Sequence, residues 1–226
     1  MKVRLKFTKT GSIRFVGHLD IMRTFQKIFR QSSIPIAYSE GFNPHQIFSI
    51  AAPLSVGVTG EGEYLDMKLM QSCNLEELIE KINLSCPRGL SIVGAVELND
   101  KETSAMASVT AAKYIITQNK SIITPEIIYK LSQKDSLIIT KKTKKGKLKE
   151  MDIKPGILNA AVIDDKVVLT LATGSVFNVK PDVVLQLLTQ EAEVTYNPFD
   201  FTIHREDLYW GEEQLTSLSK PEIEAF

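Results

Sequence analysis

The chain has 226 residues, of which 43% are hydrophobic and 24% charged, and these proportions are typical of a folded globular protein. Its 27 lysines and arginines balance its 27 aspartates and glutamates, so net charge by itself indicates no polyanionic partner. Two cysteines are too few for a disulfide framework, and no apolar run approaches the roughly 18 residues of a membrane span. The N-terminus is unlike a signal peptide, so we expect a soluble, cytoplasmic protein without membrane contact.

The N-terminal half alternates strand and helix patterns. Apolar and basic residues alternate over residues 1–8, which predicts a half-buried strand with a basic outer face. Apolar residues at helical spacing predict a first helix over residues 19–31. Four elements follow, namely strands near 34–38 and 62–70, a helix over 75–84 and a strand over 90–98. The order β-α-β-β-α-β predicts a ferredoxin-like (split βαβ) half with an antiparallel sheet.

The second half has a similar order of elements and begins after a polar linker over residues 99–104. The predicted elements are a strand over 111–117, a helix over 124–131, a strand over 137–140, a lysine-rich hairpin tip over 141–149, strands over 157–163 and 167–173, a helix over 180–188 and a strand over 201–206. We therefore expect an α+β protein with two ferredoxin-like halves, residues 1–99 and 105–210, followed by an acidic tail over 211–226.

Charge is distributed unevenly between the ends of the chain. Residues 1–50 hold eight basic residues against two acidic ones, and residues 191–226 hold nine acidic residues against two basic ones. The segments therefore differ in sign, with net charges of +6 and −7. This asymmetry predicts a basic surface for a polyanion near the N-terminus.

Five of the basic residues are candidate contacts for nucleic-acid phosphates: Lys9, Arg14, Arg23, Lys27 and Arg30. The last three lie at helical spacing, which places them on one exposed stripe of the first helix. The simpler interpretation is a solvated helix face. For Arg14 the alternative is a structural ion pair with Asp20 or Glu63.

The segment from residue 39 to residue 66 concentrates glycines, prolines and titratable groups around two short apolar runs. A loop that only connects two elements rarely needs so many residues with special backbone preferences. We expect a shaped backbone that presents Asn43 and His45 beside a sheet. The loop aromatics Phe42 and Phe48 are candidates for stacking on unpaired bases, and Phe42, Asn43 and His45 are expected to read or orient the target. The simpler interpretation is an irregular loop before a strand.

His18 and His45 are the candidate catalytic residues. The predicted fold brings both near the same sheet, where Asp20 and Glu40 could complete an acid–base or metal-binding group. No tight ligand spacing supports a metal, so we predict none. The simpler interpretation is that His18 caps the first helix and His45 binds a loop carbonyl.

A spaced set of residues carries a family resemblance: Lys9, Gly11, Arg14, Phe15, His18, Leu19, Asp20, Arg23, Pro35, the block 38–45, Pro53, Leu54, Gly57 and the block 63–66. The set resembles the signature of the radical-SAM-linked family known as domain of unknown function 2344. Gln46 and Ile50 depart from the pattern, in which proline and an aromatic residue are expected. After residue 66 the resemblance is weaker and extends to residue 210. Members of that family accompany, or are fused to, radical SAM proteins that often carry a cobalamin-binding domain. The resemblance therefore implies a radical SAM protein as partner, and a cobalamin-dependent one is among the expectations.

The motifs of several enzyme classes are missing from the sequence. There is no CxxxCxxC motif, so the chain does not itself hold the iron–sulfur cluster of a radical SAM enzyme. There is also no P-loop, no GxGxxG after a strand and no GxSxG. We therefore predict no cofactor.

Together these observations predict an accessory protein that recognises a substrate for a radical SAM enzyme, by binding ribosomal or transfer RNA that the enzyme modifies. A non-catalytic partner is favoured over an enzyme. Two alternatives stay open: a metal-independent RNA-processing endonuclease that uses a loop histidine, and a protein-only adaptor for the radical SAM partner.

Overall fold

A computed structural model describes residues 1–142, 146, 148–175, 177–211 and 215–219. The chain divides into two compact units. The first comprises Met1–Thr110 together with the described residues from Arg205 onward, and the second comprises Ala111–His204. The unit boundaries therefore lie at residues 110 and 204, whereas the sequence predicted a division at residues 99–105.

The first unit consists of a sheet and of helices that pack against its strands. Its elements are β1 (Lys2–Lys9), α1 (His18–Gln31), β2 (Phe48–Ile50), β3 (Thr59–Lys68), α2 (Leu75–Asn83), β4 (Leu90–Leu98), α3 (Ala105–Ser108), the end of β10 (Phe201–Trp210) and β11 (Thr216–Ser217). The strand order is β4-β1-β3-β10, with β2 also on β3 and β11 on β10. The ladders of β1 with its two neighbours are antiparallel.

The second unit has its own strands and helices. They are β5 (Val109–Gln118), α4 (Pro125–Ser132), β6 (Ile138–Lys142), β7 (Leu148–Asp152), β8 (Ile157–Ile163), β9 (Lys166–Ala172), α5 (Pro181–Glu191) and the start of β10. Strand β9 lies between β5 and β8 in antiparallel ladders, while β6 and β7 form a separate two-stranded sheet. Helix α4 packs against α5 and β8.

Local sequence signals explain why the helices start where they do. Asn74 accepts hydrogen bonds from the backbone N–H groups of Glu76 and Glu77, and Thr124 accepts one from Ile127. Pro125 follows at the first helical position, where its missing N–H costs nothing. Helix α1 buries Ile21, Phe25, Ile28 and Phe29 against the core. These signals were visible in the sequence, and the predicted helices are confirmed.

The α+β class is confirmed, whereas the finer division into two ferredoxin-like halves stays a prediction. One predicted strand, residues 34–38, forms only isolated bridges, from Ile36 to Leu69 and from Tyr38 to Gln46. The short strand β2 pairs with β3 over residues 65–67 instead. The strand therefore lies inside the segment that was predicted to be irregular.

The predicted basic outer face of β1 is wrong, because its cations are buried or paired with acids. Arg4 is 2% exposed and donates two hydrogen bonds to the carboxylate of Asp66, at 2.8 and 3.1 Å. Lys6 lies 3.4 Å from the carboxylate of Asp207, which belongs to β10. A polyanion therefore does not find a free row of cations on β1.

Within the described part of the chain, no helix is long and apolar enough to cross a membrane.

Candidate functional site

A short loop in the first unit, residues 39–45, is closed by hydrogen bonds between its two ends. The backbone N–H of Ser39 donates to the carbonyl of His45 at 2.8 Å, and the N–H of His45 donates to the Ser39 hydroxyl at 3.1 Å. Gly41 has a φ of 107°, a backbone conformation that other residues rarely adopt. The loop is therefore a defined turn, as the concentration of glycine and proline predicted.

This loop holds Phe42 in solvent. The Phe42 side chain is 106% exposed, and Asn43 and His45 are exposed as well. Water around an aromatic ring is unfavourable, so an ordered loop that exposes one gains nothing for folding. The ring is available to stack on a flat partner.

The imidazole of His45 is held by Ser39. The Ser39 hydroxyl and the His45 Nδ1 lie 2.8 Å apart. When the hydroxyl donates to Nδ1, the neutral ring carries its proton on Nε2, and this N–H remains available to a ligand. The expected bond from His45 to a loop carbonyl is replaced by this bond to Ser39.

Helix α1 carries the predicted cationic stripe on its solvent side. Arg23, Lys27 and Arg30 are all exposed, opposite the buried apolar side chains of the helix. Arg23 also lies 3.0 Å from the carboxylate of Asp20, and both side chains are largely exposed. Such a pair contributes little to stability, so Arg23 can exchange its partner for a phosphate at small cost.

Arg14 lies in a 3₁₀ segment, Gly11–Phe15, immediately before α1. Its guanidinium lies 4.8 Å from the centre of the Phe15 ring, a cation–π contact. The two acids considered as its partners pair with other arginines, Asp20 with Arg23 and Glu63 with Arg205. Arg14 is half-buried and keeps donors for an anion.

Lys9 is buried, unlike the other predicted phosphate ligands. Its side chain is 3% exposed, and its ammonium donates to the carbonyls of Val16 at 2.9 Å and Arg14 at 3.4 Å. Burial lowers the pKa of Lys9, which the carboxylate of Glu63 partly offsets. The position of Lys9 gives no support to a phosphate contact, and its bonds shape the turn that precedes α1.

Glu63 and Arg205 form a buried ion pair that pattern analysis of the sequence did not find. Arg205 Nε donates to Glu63 Oε1 at 2.7 Å, a second guanidinium nitrogen bonds Oε2, and the same nitrogen donates to the carbonyl of Ala52 at 2.6 Å. The only signal was that both residues lie in segments that carry the family resemblance. Residues 142 positions apart show no local spacing.

The two candidate histidines line different cavities. His18 lies beside Lys9 and Glu63 at a cavity of about 10 Å³, which is room for about one water molecule. His45 lies at a separate cavity of about 310 Å³ beside β2 and β3. His18 is also the first residue of α1, whose N-cap is Gly17, so it does not cap the helix as expected. The structure does not bring the pair to one cavity.

The predicted lysine-rich hairpin tip over residues 141–149 lies only partly within the described residues. Lys141, Lys142 and Lys149 belong to the β6–β7 ladder, in which Lys142 pairs with Leu148. Lys144, Lys145 and Lys147 lie outside the described residues, as does most of the predicted acidic tail. Within the described part of the chain, no group of three histidine, cysteine or acidic side chains is placed to hold a metal ion.

Comparison with known proteins identifies the family. Residues 2–181 match the model of a family described as an uncharacterized protein conserved in bacteria (DUF2344). The chain belongs to the DUF2344 family. No curated protein matches this DUF2344 chain. The matched residues include the loop, the α1 stripe and Glu63, while Arg205 lies beyond them.

Proposed function

We propose that this DUF2344 protein is an accessory protein that binds RNA and presents it to a radical SAM enzyme. The observation that carries the proposal is the fully exposed Phe42 on a closed loop, in the same unit as a helix with three exposed cations. Cations hold phosphates through charge, and an exposed aromatic ring stacks on an unpaired base. The two features together are what single-stranded RNA requires.

The radical SAM partner rests on the family resemblance, since family members accompany such proteins. The sequence itself has no cysteine motif for the iron–sulfur cluster, so in this proposal the partner performs the radical chemistry. The DUF2344 protein contributes binding and orientation of ribosomal or transfer RNA.

The test is binding of labelled, pooled cellular RNA at several salt concentrations. The variant Arg23→Glu/Lys27→Glu/Arg30→Glu should lose binding at moderate salt. The slope of log affinity against log salt concentration should be smaller in magnitude by about 2 in this variant than in the unmodified protein. The variant Phe42→Ala should bind about 5- to 150-fold more weakly, as expected for one lost stacking contact. Its stability should be unchanged, because the ring contacts solvent.

Matched controls distinguish the proposed surface from a general effect of charge or of an exposed ring. Lys130→Glu/Lys166→Glu/Lys180→Glu makes the same change of charge at exposed positions of the second unit. Phe199→Ala removes another exposed ring, which is 86% exposed. Both controls should bind RNA like the unmodified protein. If the triple variants lose affinity equally, α1 is not the contact surface.

Two other results would replace the proposal. Cleavage of RNA without a divalent metal, lost in His45→Ala, would indicate the endonuclease. Co-purification of a radical SAM protein, with no RNA protected from nuclease by the complex, would indicate the adaptor. The exposed apolar side chains of Phe15, Leu19 and Val56 support that alternative, because such side chains favour contact with another protein.

A further inference from the structure

The cavity beside His45 has the size and the walls of a small-molecule site. Its volume of about 310 Å³ is at the lower end of the range for ligand pockets. Ile47, Phe48, Met67 and Leu98 provide an apolar lining. The Phe48 ring packs edge-on against Phe29 at 5.3 Å, so this wall is held by the core of the first unit. The lining suits a largely apolar body.

Two oxygen atoms on residues that line this cavity are buried and have no hydrogen-bond partner among the described residues. They are Gln46 Oε1 and Glu102 Oε1. Gln46 is only 5% exposed, and its amide nitrogen makes a single long bond to the Tyr38 hydroxyl at 3.4 Å. Rotating the Gln46 amide by half a turn would exchange its oxygen and its nitrogen. One of these two atoms would still have no hydrogen-bond partner. A buried acceptor without a donor is unfavourable, so a ligand that brings N–H groups would bind here.

The other charged groups at the cavity restrict the ligand further. Asp66 is already satisfied by Arg4 and by the backbone N–H of Ala105, so it does not require a cation. Lys68 is exposed at the rim, and Lys2 donates to the carbonyl of Asp100. Lys2 is therefore already paired with Asp100, and Lys68 is the lysine at the rim that favours a ligand carrying a phosphate.

We propose that this cavity binds a nucleobase that carries an exocyclic amine, with adenine preferred, and that the phosphate of the same nucleotide lies toward Lys68. Adenine presents an amine and an adjacent ring acceptor, and a glutamine amide pairs with both at once. The base comes either from a free nucleotide or from an RNA strand. In the second case the inference rests on the proposed function, because the loop at residues 39–45 then delivers an unpaired base to the cavity beside His45.

The first experiment measures calorimetric binding of AMP and IMP to the full-length protein. IMP has the same ring and the same phosphate but carries a carbonyl in place of the amine. We expect AMP to bind about tenfold more tightly, because the N6 amine and N7 of adenine pair with both groups of the Gln46 amide, whereas IMP presents two acceptors there and leaves Oε1 unpaired in either amide orientation. The second experiment compares binding of oligoadenylate and oligouridylate RNA of equal length.

Three variants define the site. Gln46→Met keeps the side-chain length but removes the amide, so the preference for AMP over IMP and for oligoadenylate should disappear. Ser104→Trp adds bulk at an exposed residue of the cavity rim and should abolish base binding. Ser91→Trp is the control, since Ser91 is exposed on β4 and does not line the cavity. Circular dichroism is used to check that each variant folds.

The outcomes separate this inference from the proposed function. AMP binding that depends on Gln46 supports the site with a free nucleotide as the source, even if RNA does not bind and the proposed function fails. An oligoadenylate preference that depends on Gln46 supports the site with RNA as the source. RNA binding without base preference, in a protein that binds AMP and IMP equally or not at all, overturns the inference and leaves the proposed function standing. No binding of any probe also overturns it.

Discussion

The buried charges of the first unit depend on named partners within that unit. Glu63, Arg205 and Lys9 are each at most 3% exposed, and Glu63 pairs with Arg205 through both of its oxygens. A buried ion pair adds little stability over an apolar pair of similar volume. Loss of one partner, however, leaves the other uncompensated.

Glu63→Gln should therefore lower the free energy of unfolding by about 3–5 kcal/mol, measured by urea denaturation. Asp20→Asn is the control, because the exposed pair of Asp20 with Arg23 should contribute less than about 1 kcal/mol. The double variant Glu63→Gln/Arg205→Met should cost less than the sum of its two single variants. Additive costs would mean that the two residues do not act as a pair.

Cys86 shows how burial controls reactivity at one residue. Burial raises the pKa of its thiol to about 11, from an ordinary value of 9.0. Below pH 9 the thiolate fraction should then be about 100-fold lower than that of an unperturbed cysteine. The rate of alkylation by iodoacetamide should keep rising with pH to about 11 in the folded protein. A rate that levels off near pH 9 would contradict the role of burial.

At the scale of elements, the approach of β3 to β10 depends on a residue without a side chain. A Cβ at Gly62 would lie closer than 3.0 Å to the backbone Cα of Asp207. The neighbouring strand cannot move away cheaply, because Asp207 also accepts the hydrogen bond of the Tyr64 hydroxyl at 2.5 Å. The glycine therefore permits the contact that brings Arg205 to Glu63.

Gly62→Ala should destabilise the protein by about 3 kcal/mol, since the added methyl group must displace backbone. Gly94→Ala is a matched control on β4, where the nearest atom to the added Cβ is Lys6 Cβ at 3.7 Å, an ordinary contact. Its effect on the unfolding free energy should be within about 1 kcal/mol. Equal costs for the two substitutions in thermal or urea unfolding would show that crowding at β10 is not the cause.

At the scale of the molecule, the first unit is built from both ends of the chain. Residues from Arg205 onward supply the partners of Glu63, Tyr64 and Lys6, and β10 lies beside β3. Residues 1–110 by themselves therefore contain the buried carboxylate of Glu63 but not the guanidinium of Arg205 that pairs with it.

A chain that ends after His204 should lose more than about 5 kcal/mol of stability, because it loses a strand as well as the buried pair. Far-UV circular dichroism during urea denaturation measures this, since the truncation removes Trp210. In the truncated chain Glu63→Leu should raise the stability, because it removes a buried charge that has lost its partner. In the full chain a substitution of Glu63 should instead lower the stability. A truncated chain as stable as the full one would exclude a role for the C-terminal residues in the first unit.

Much of the local structure was predictable because its causes lie within about ten residues. The apolar spacing of Ile21, Phe25 and Ile28 predicted α1, and the caps at Asn74 and Thr124 predicted two helix starts. Prediction failed at residues 34–38, which make only isolated bridges, one of them to Leu69, while β2 forms the ladder with β3 over residues 65–67. The apolar pattern alone does not decide which of two neighbouring segments forms the longer ladder.

For the candidate site, the sequence by itself determined the family, the cationic stripe of α1 and the turn-forming loop around Phe42, since each depends on residue type and short spacing. Only the tertiary structure decided that Lys9 is buried, that Arg4 pairs with Asp66 and that Glu63 meets Arg205. It also decided that Gln46 lines a cavity. The physical reason is that sheet register brings together residues that are far apart in sequence. Burial then determines whether a charged side chain is free to bind a ligand at the surface or is paired inside the core.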